Sequence, residues 1–144
     1  MRGYHGVLIT PPNLLITDDD VAFRETLRSV FAPRGFNTLT ARDGAEALEI
    51  VWQQSVHVLL TDMHMPRLDG LETIRRIRER QLILPCILLS AGLDDGLMEK
   101  ARDLQTFTVL RKPVRFAELT EAVRQALHET YGWNLDGDLD AGEP

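Results

Sequence analysis

The sequence contains a single cysteine, Cys86, and no apolar run that approaches the length of a membrane span. One cysteine excludes an intramolecular disulfide and agrees with a reducing compartment. A transmembrane helix needs roughly 18 or more consecutive apolar residues, and the N-terminus also lacks the basic and long apolar segments of a signal peptide. We therefore expect a cytoplasmic protein without direct membrane contact, in which Cys86 belongs to the core.

Positive charge is scarce as well. The chain carries 16 Lys and Arg against 22 Asp and Glu, a formal net charge of −6, whereas nucleic-acid-binding domains usually present a basic surface. We expect no direct nucleic-acid binding by this chain. A Gly-rich loop is also missing after the first apolar run, Leu14–Thr17, which argues against a dinucleotide or flavin carrier.

What the sequence does contain is a regular alternation of two patterns. Its 144 residues, 44% of them hydrophobic, suit one compact domain. Five short apolar runs typical of strands alternate with five segments of helical periodicity. The strand candidates are Leu14–Thr17, Phe36–Ala41, Val56–Thr61, Cys86–Ser90 and Phe107–Arg111. Strands that alternate with single helices pair in parallel, which predicts an α/β fold, a doubly wound (βα)5 sandwich over residues 14–131.

The helical segments also predict which faces point inward, because apolar residues recur every three or four positions. The inward residues are Phe23, Leu27, Val30 and Phe31; Ala45, Leu48, Val51 and Trp52; Leu71, Ile74 and Ile77; Leu97, Met98, Ala101 and Leu104; and Phe116, Leu119, Val123, Ala126 and Leu127. The fourth helix, Leu93–Leu104, has the weakest apolar stripe, and we expect it to move most easily.

The fifth helix is predicted to run from about Val114 to Tyr131. Residues 1–13 are predicted to be an N-terminal extension, and residues 132–144 an acidic flexible tail.

Chemistry-bearing side chains follow the predicted strands at the point where each strand ends. Asp18 and Asp19 follow the first strand, Asp62 the third, Ser90 closes the fourth and Lys112 follows the fifth. The carboxyl ends of parallel strands meet at one edge of a doubly wound sheet, which is where such folds bind ligands. Chance placement would scatter these residues to both ends of the strands. We therefore expect one site that contains three carboxylates, a hydroxyl and an ammonium group.

Carboxylates gathered in a partly desolvated site repel one another unless a cation joins them. Mg²⁺ accepts oxygen ligands and often pairs one or two carboxylates with a phosphate, while the ammonium of Lys112 and the hydroxyl of Ser90 suit phosphoryl oxygens. The set therefore indicates a magnesium site that receives a phosphoryl group. Plainer roles exist for two neighbouring acids, Asp20 and Asp69, which are better explained as N-caps or turn residues.

These residues and motifs resemble those of the response regulator receiver domain, the CheY-like family of two-component signalling, from Leu14 to about Leu127. The acidic motif is Leu14-Leu15-Ile16-Thr17-Asp18-Asp19-Asp20, and Asp62 with Met65-Pro66 and Asp69-Gly70 resembles the phosphoacceptor segment. Ser90-Ala91 and Lys112-Pro113 are similar to the family's remaining two motifs. The resemblance implies a flavodoxin-like sheet with strand order 2-1-3-4-5.

The resemblance also implies roles for individual residues. Asp62 would accept a phosphoryl group from a sensor histidine kinase or phosphotransfer protein. Asp19, Asp62 and the backbone carbonyl of His64 would hold Mg²⁺, and Asp18 would support it through water. Lys112 would neutralise the phosphoryl group and Ser90 would hydrogen-bond it. The Lys112-Pro113 peptide bond would be cis.

A response regulator further implies a downstream protein target or output domain, and a switching surface made by the fourth helix, fifth strand and fifth helix that could also form a homodimer. The sequence departs from the family at Val109, where an aromatic switch residue is usual. Phe107 should point to the same side of the strand by the alternation of side chains. The imidazole of His64 could tune the lifetime of the phosphoryl group, or simply be a solvated loop residue.

Two other functions compete with this interpretation. A haloacid-dehalogenase-like phosphatase would carry a second Asp two residues after its nucleophile on the first strand, whereas here His64 holds that position and the strand is the third. A receiver-like protein-binding module that is never phosphorylated is the main alternative. We therefore expect a signalling receiver and not an enzyme in the usual sense, since it would catalyse only its own phosphorylation and dephosphorylation.

Overall fold

A computed structural model of the chain describes residues 11–80 and 83–135. Five strands form a single parallel sheet with the order β2-β1-β3-β4-β5. The strands are β1 (Asn13–Thr17), β2 (Asn37–Ala41), β3 (Val58–Asp62), β4 (Cys86–Ser90) and β5 (Thr108–Arg111). This confirms the predicted fold class and strand order, and it places β1 and β3 side by side at the centre of the sheet.

Five α-helices connect or follow the strands. They are α1 (Val21–Phe31), α2 (Gly44–Gln53), α3 (Gly70–Arg78), α4 (Asp95–Asp103) and α5 (Phe116–Tyr131), with a 3₁₀ turn at Ala32–Arg34. α4 is shorter than the predicted Leu93–Leu104, and α5 begins two residues after Val114. The start of α4 is set by Asp94, whose side chain accepts the backbone N–H of Leu97.

Aspartates begin four of the five helices. The carboxylates of Asp20, Asp43, Asp69 and Asp94 each accept the backbone N–H group three residues further on. Such a cap satisfies an N–H group that has no partner inside the helix, and its negative charge suits the positive end of the helix dipole. The capping roles expected for Asp20 and Asp69 are therefore confirmed.

The sheet separates two hydrophobic cores because successive strand residues point to opposite faces. Leu14 and Ile16 of β1 pack with α1 and α5, whereas Leu15 between them packs with α2 and α3. Buried strand residues on both faces are typical of a parallel sheet covered on both sides. Cys86 is fully buried on the α2 and α3 side, as expected, and burial raises the pKa of its thiol to about 11.

Three residues predicted to point inward are exposed instead: Ala45, Met98 and Phe116. The buried stripe of α2 starts from Gly44 and continues through Ala47, Leu48 and Val51, which rotates it away from Ala45. Phe116 is the first residue of α5 and precedes the first buried turn, which begins at Leu119. In α4 only Ala101 is buried, so this helix has the smallest buried face of the five.

The prediction for Phe107 is wrong. Its side chain packs against the core on the α1 and α5 side, whereas Val109 packs against the core on the opposite side of the sheet. The reason is that β5 begins at Thr108, so Phe107 stands in a bend before the strand and the alternation of side chains does not extend to it.

The first residues of the predicted tail lie against the domain. Leu135 is 1% exposed in the core beside α5, and Trp133 stacks on Tyr131 with ring centroids 4.6 Å apart. Residues 1–10 and 136–144 lie outside the described residues, so the two outer boundaries of the domain stay predictions. Within residues 11–80 and 83–135, no helix combines the length and apolarity that a membrane crossing requires.

His57 joins this C-terminal segment to the start of the sheet. Its Nδ1 accepts the backbone N–H of Asn13 at 2.8 Å, its carbonyl accepts the hydroxyl of Tyr131 at 2.8 Å, and its ring meets the edges of Tyr131 and Trp133. Burial lowers the pKa of His57 below its ordinary value of 6.5. A protonated Nδ1 would also lose its role as the acceptor for Asn13.

We predict that His57 makes the folded state less stable as the pH falls below about 6.5. The pKa of His57 is lower in the folded state than in the unfolded state, so as the pH falls the unfolded chain takes up the proton first. The free energy of unfolding therefore decreases as the pH falls from the unfolded pKa to the folded pKa. Above both pKa values His57 contributes no pH dependence. His57→Gln should reduce the slope of the free energy of unfolding against pH in this window, measured by urea denaturation. His128→Gln, at an exposed histidine of α5, is the control for replacing a histidine by glutamine elsewhere in the fold. An unchanged slope in His57→Gln would contradict the prediction.

Candidate functional site

Two buried carboxylates mark the carboxyl end of the sheet. Asp62 is the last residue of β3 and 6% exposed, and Asp18 directly follows β1 and is 2% exposed. The two strands are hydrogen-bonded neighbours, with Thr17 paired to Thr61 one residue earlier in each. The adjacency of β1 and β3 therefore brings both carboxylates to the same place.

Asp19 completes a group of three acids. Single carboxylate oxygens of Asp18, Asp19 and Asp62 lie within 4.8 Å of one another, and Asp19 is the exposed member of the group. Such a set of oxygen donors, partly buried and partly open to solvent, fits Mg²⁺, which uses few protein ligands and keeps several waters. Among the described residues this is the one group of three or more possible ligands that could hold a metal ion.

Lys112 supplies the positive charge at this site. Its Nζ lies 2.9 Å from Oδ1 of Asp62 and 3.1 Å from Oδ2 of Asp18, which makes two ion pairs from one ammonium group. Its side chain is 26% exposed, so the ion pairs lie at the rim of the site. The Lys112-Pro113 peptide bond is cis, as the sequence resemblance implies.

The pKa values of this group reflect burial and charge together. Burial raises the pKa of Asp18, and the nearby charge of Asp62 acts in the same direction, although the N–H of Asp20 and the ammonium of Lys112 oppose the rise. For Lys112, burial alone would lower the pKa, but the hydrogen bonds and negative charges of Asp62 and Asp18 raise it above its usual value. Lys112 therefore keeps its positive charge at neutral pH.

Ser90 ends β4 beside these residues, but its hydroxyl is turned to its own loop. The side chain is fully buried, and Oγ donates to the carbonyl of Gly92 at 2.7 Å. The backbone N–H of Lys112 donates to the carbonyl of Ser90 at 2.9 Å, so the ends of β4 and β5 are held together. The backbone of Ser90 is therefore hydrogen-bonded to that of Lys112, whereas the hydroxyl of Ser90 is bonded to Gly92.

The loop between β3 and α3 is held close to Asp62. The N–H of Met63 donates to Leu89 at 2.8 Å, and the N–H of Gly70 donates back to the carbonyl of Met63 at 2.9 Å. His64, the second residue after Asp62, is exposed to solvent, whereas Met65 is buried. The bonds on either side of this loop therefore limit how far its backbone can move from the carboxylate of Asp62.

Two residues of α1 contact the site: Phe23, which its helical periodicity predicts to be a core residue, and Arg24, which no sequence motif singled out. The ring of Phe23 lies under the ammonium of Lys112, with Nζ 4.6 Å from its centroid. The guanidinium of Arg24 donates to the backbone carbonyl of Asp18 at 2.7 Å. Their position in the first turn after the acidic motif is the signal that could have been used, but the contact with Lys112 joins residues that are far apart in the chain.

Comparison with known proteins places these observations in a family context. A family model described as "Response regulator receiver domain" matches residues 14–124. The response regulator MprA of Mycobacterium leprae (strain TN) is 38% identical over 119 residues, which cover 81% of this chain and 51% of that protein. MprA of Mycobacterium sp. (strain KMS) is 35% identical over 122 residues, 83% of this chain and 52% of that protein. The chain thus spans about half the length of these relatives.

Solved structures show the same architecture. The signal receiver domain of an HD domain-containing protein from Pseudomonas fluorescens Pf-5 has a TM-score of 0.80 at 28% identity, over 85% of this chain and 98% of that one. A CheY-like receiver domain protein from Methanospirillum hungatei JF-1 has a TM-score of 0.82 at 19% identity, over 85% of this chain and 98% of that one. The second similarity concerns the fold alone.

We predict that Gly70→Ala destabilises the loop beside Asp62. A Cβ at this position would lie 2.5 Å from the carbonyl oxygen of Asp62 and 2.6 Å from a methyl group of Leu88, so backbone or core must shift. Overpacking of this kind costs about 1 to 3 kcal/mol. Gly92→Ala, which meets nothing within 4 Å, is the matched control. Equal urea midpoints for the two variants would contradict the prediction.

Proposed function

The chain belongs to the response regulator receiver domain family of two-component systems, and from this premise we propose that Asp62 is its phosphoacceptor. The observation that carries the proposal is the contact of the Lys112 ammonium with the Asp62 carboxylate, 2.9 Å apart in a cluster of acids at the carboxyl end of the sheet. The proposed donor is a phosphohistidine on a sensor histidine kinase or phosphotransfer protein.

The proposed reaction is a direct transfer. A carboxylate oxygen of Asp62 attacks phosphorus and forms a new P–O bond, while the P–N bond of the phosphohistidine breaks and its electron pair stays on the imidazole nitrogen. The product is an aspartyl phosphate, and the imidazole nitrogen that leaves takes up a proton from solvent, which regenerates the donor histidine. Positioning and charge neutralisation dominate such transfers. Lys112 supports this role because its raised pKa keeps it cationic beside the oxygens that receive negative charge.

The acidic cluster is the proposed magnesium site. Asp19, Asp62 and the backbone carbonyl of His64 would hold the ion, and Asp18 would support it through water. When bound, Mg²⁺ offsets the negative charge of the carboxylates and of the phosphoryl oxygens. The fit is supported by the donor set itself, since three carboxylates with oxygens within 4.8 Å of one another are neutralised only in part by Lys112.

Phosphorylation would act on Ser90 and α4. An aspartyl phosphate carries about two negative charges where the free carboxylate carries one, and it brings strong acceptor oxygens. Ser90 would give up its bond to the carbonyl of Gly92 to donate to them. The small buried face of α4, in which only Ala101 is buried, supports this helix as the part that responds. The output surface would comprise α4, β5 and α5, and its partner would be a downstream protein, an output domain or a second copy of the chain. Val109 packs at the position where an aromatic switch residue is usual, so the transmission would not use ring rotation there.

We predict that acetyl phosphate with Mg²⁺ places one phosphoryl group on the protein, detected by intact-protein mass spectrometry, and that Asp62→Asn abolishes the adduct. The reason is that an amide cannot form the mixed anhydride. Asp95→Asn, at an exposed acid of α4, is the matched control and should be phosphorylated like the wild type. An adduct of equal amount in Asp62→Asn would overturn the proposal, and its absence from the wild type would favour a receiver-like binding module that is not phosphorylated.

We also predict that Mg²⁺ stabilises the protein through the acidic cluster. An ion that binds only the folded state at one hundred times its dissociation constant adds about 2.7 kcal/mol to the free energy of unfolding. Asp19→Asn should weaken Mg²⁺ affinity by about tenfold or more, since even residues behind the direct ligands often cost that much. Calorimetric titration of Mg²⁺ into wild type, Asp19→Asn and Asp95→Asn tests this. Equal affinity in all three proteins would exclude Asp19 as a ligand.

A further inference from the structure

We propose that Phe23 is a positioning residue whose ring face holds the ammonium of Lys112 against the carboxylates of Asp62 and Asp18. This inference rests on the proposed function, because it assigns to α1 a share in placing the charge that acts on the phosphoryl group. In this role Phe23 acts on the site through Lys112.

The contact geometry supports an electrostatic role for the ring. Nζ of Lys112 lies 4.6 Å from the centroid of Phe23, within the range in which the negative face of an aromatic ring attracts a cation. The same nitrogen lies 2.9 Å from Asp62 and 3.1 Å from Asp18. The ring and two carboxylates therefore share one ammonium group, and all three contacts favour the same position for it.

Such a support is useful because lysine is flexible. Its ammonium stands at the end of a flexible four-carbon side chain and would otherwise sample many positions. With a side chain that is 26% exposed, Lys112 also has solvent available as an alternative. A charge that is already in place when the phosphoryl group arrives requires less reorganisation during transfer. Phe23 is suited to this task because it is half-buried and packs against the core on the α1 and α5 side of the sheet.

The chain offers an unusually direct test of the contact, since its full sequence contains two lysines, Lys100 and Lys112. Lys100 is exposed on α4 and serves as an internal reference. With ¹³C-labelled lysine, the ε-methylene protons of Lys112 should be shifted upfield of those of Lys100 by the ring current of Phe23. Phe23→Leu should move the Lys112 signal toward that of Lys100, and Lys112→Arg assigns the two signals.

The functional test changes the charge of the ring face while keeping its shape. Mono-, di- and trifluorinated phenylalanine at position 23 withdraw electron density stepwise, and the same residues at Phe31, a buried core residue of the same helix, are the matched control. The readout is the rate of phosphorylation by acetyl phosphate with Mg²⁺, a small donor that does not depend on protein docking.

The rate should fall stepwise with fluorination at position 23 but not at position 31. It should fall about three- to tenfold in Phe23→Leu and stay near the wild-type value in Phe23→Tyr, which restores an aromatic face. A loss in Phe23→Leu without any trend across the fluorinated series would reduce Phe23 to a packing residue and overturn the inference, as would the absence of a ring-current shift at Lys112. If the wild type accepts no phosphoryl group, the proposed function fails, whereas the spectroscopic test of the contact still decides whether the ring holds Lys112.

Discussion

The ion pairs of Lys112 with two buried carboxylates are the interaction on which the site depends. Asp18 and Asp62 are 2% and 6% exposed, and like charges this close in a desolvated place are unfavourable without a cation. Lys112 supplies that cation from the end of β5, an edge strand of the sheet. Because Lys112 follows β5 whereas the carboxylates follow β1 and end β3, its position requires all three strands to run in the same direction.

The parallel sheet meets this requirement, and contacts in the loops at its carboxyl edge hold the residues of the site in position. Aspartate caps begin the helices that leave this edge, and the close approach of Gly70 to the Asp62 backbone leaves no space for a Cβ. The N–H of Lys112 binds the carbonyl of Ser90, which ties the ends of β4 and β5 together. α4 is the exception, since Ala101 is its one buried residue.

The fold was predictable from sequence to a large extent. Four of the five strands, β1, β3, β4 and β5, end in a polar residue, and the alternation with helices dictated parallel pairing. The errors at Ala45, Met98 and Phe116 arise because periodicity defines a stripe only to within one residue, whereas the tertiary contacts decide which side of the stripe is covered. The error at Phe107 arises because the alternation of side chains stops where the strand stops, and the sequence does not mark that boundary at Thr108.

The sequence alone therefore determined the types and order of the elements, and which residues stand at the carboxyl ends of the strands, because both depend on local patterns along the chain. Only the tertiary structure decided how those residues meet: that one ammonium group bridges Asp62 and Asp18, that the hydroxyl of Ser90 is bonded to Gly92, and that Phe23 lies under Lys112. These contacts join segments that are distant in sequence. Their distances follow from how the helices pack on the sheet, which no local pattern records.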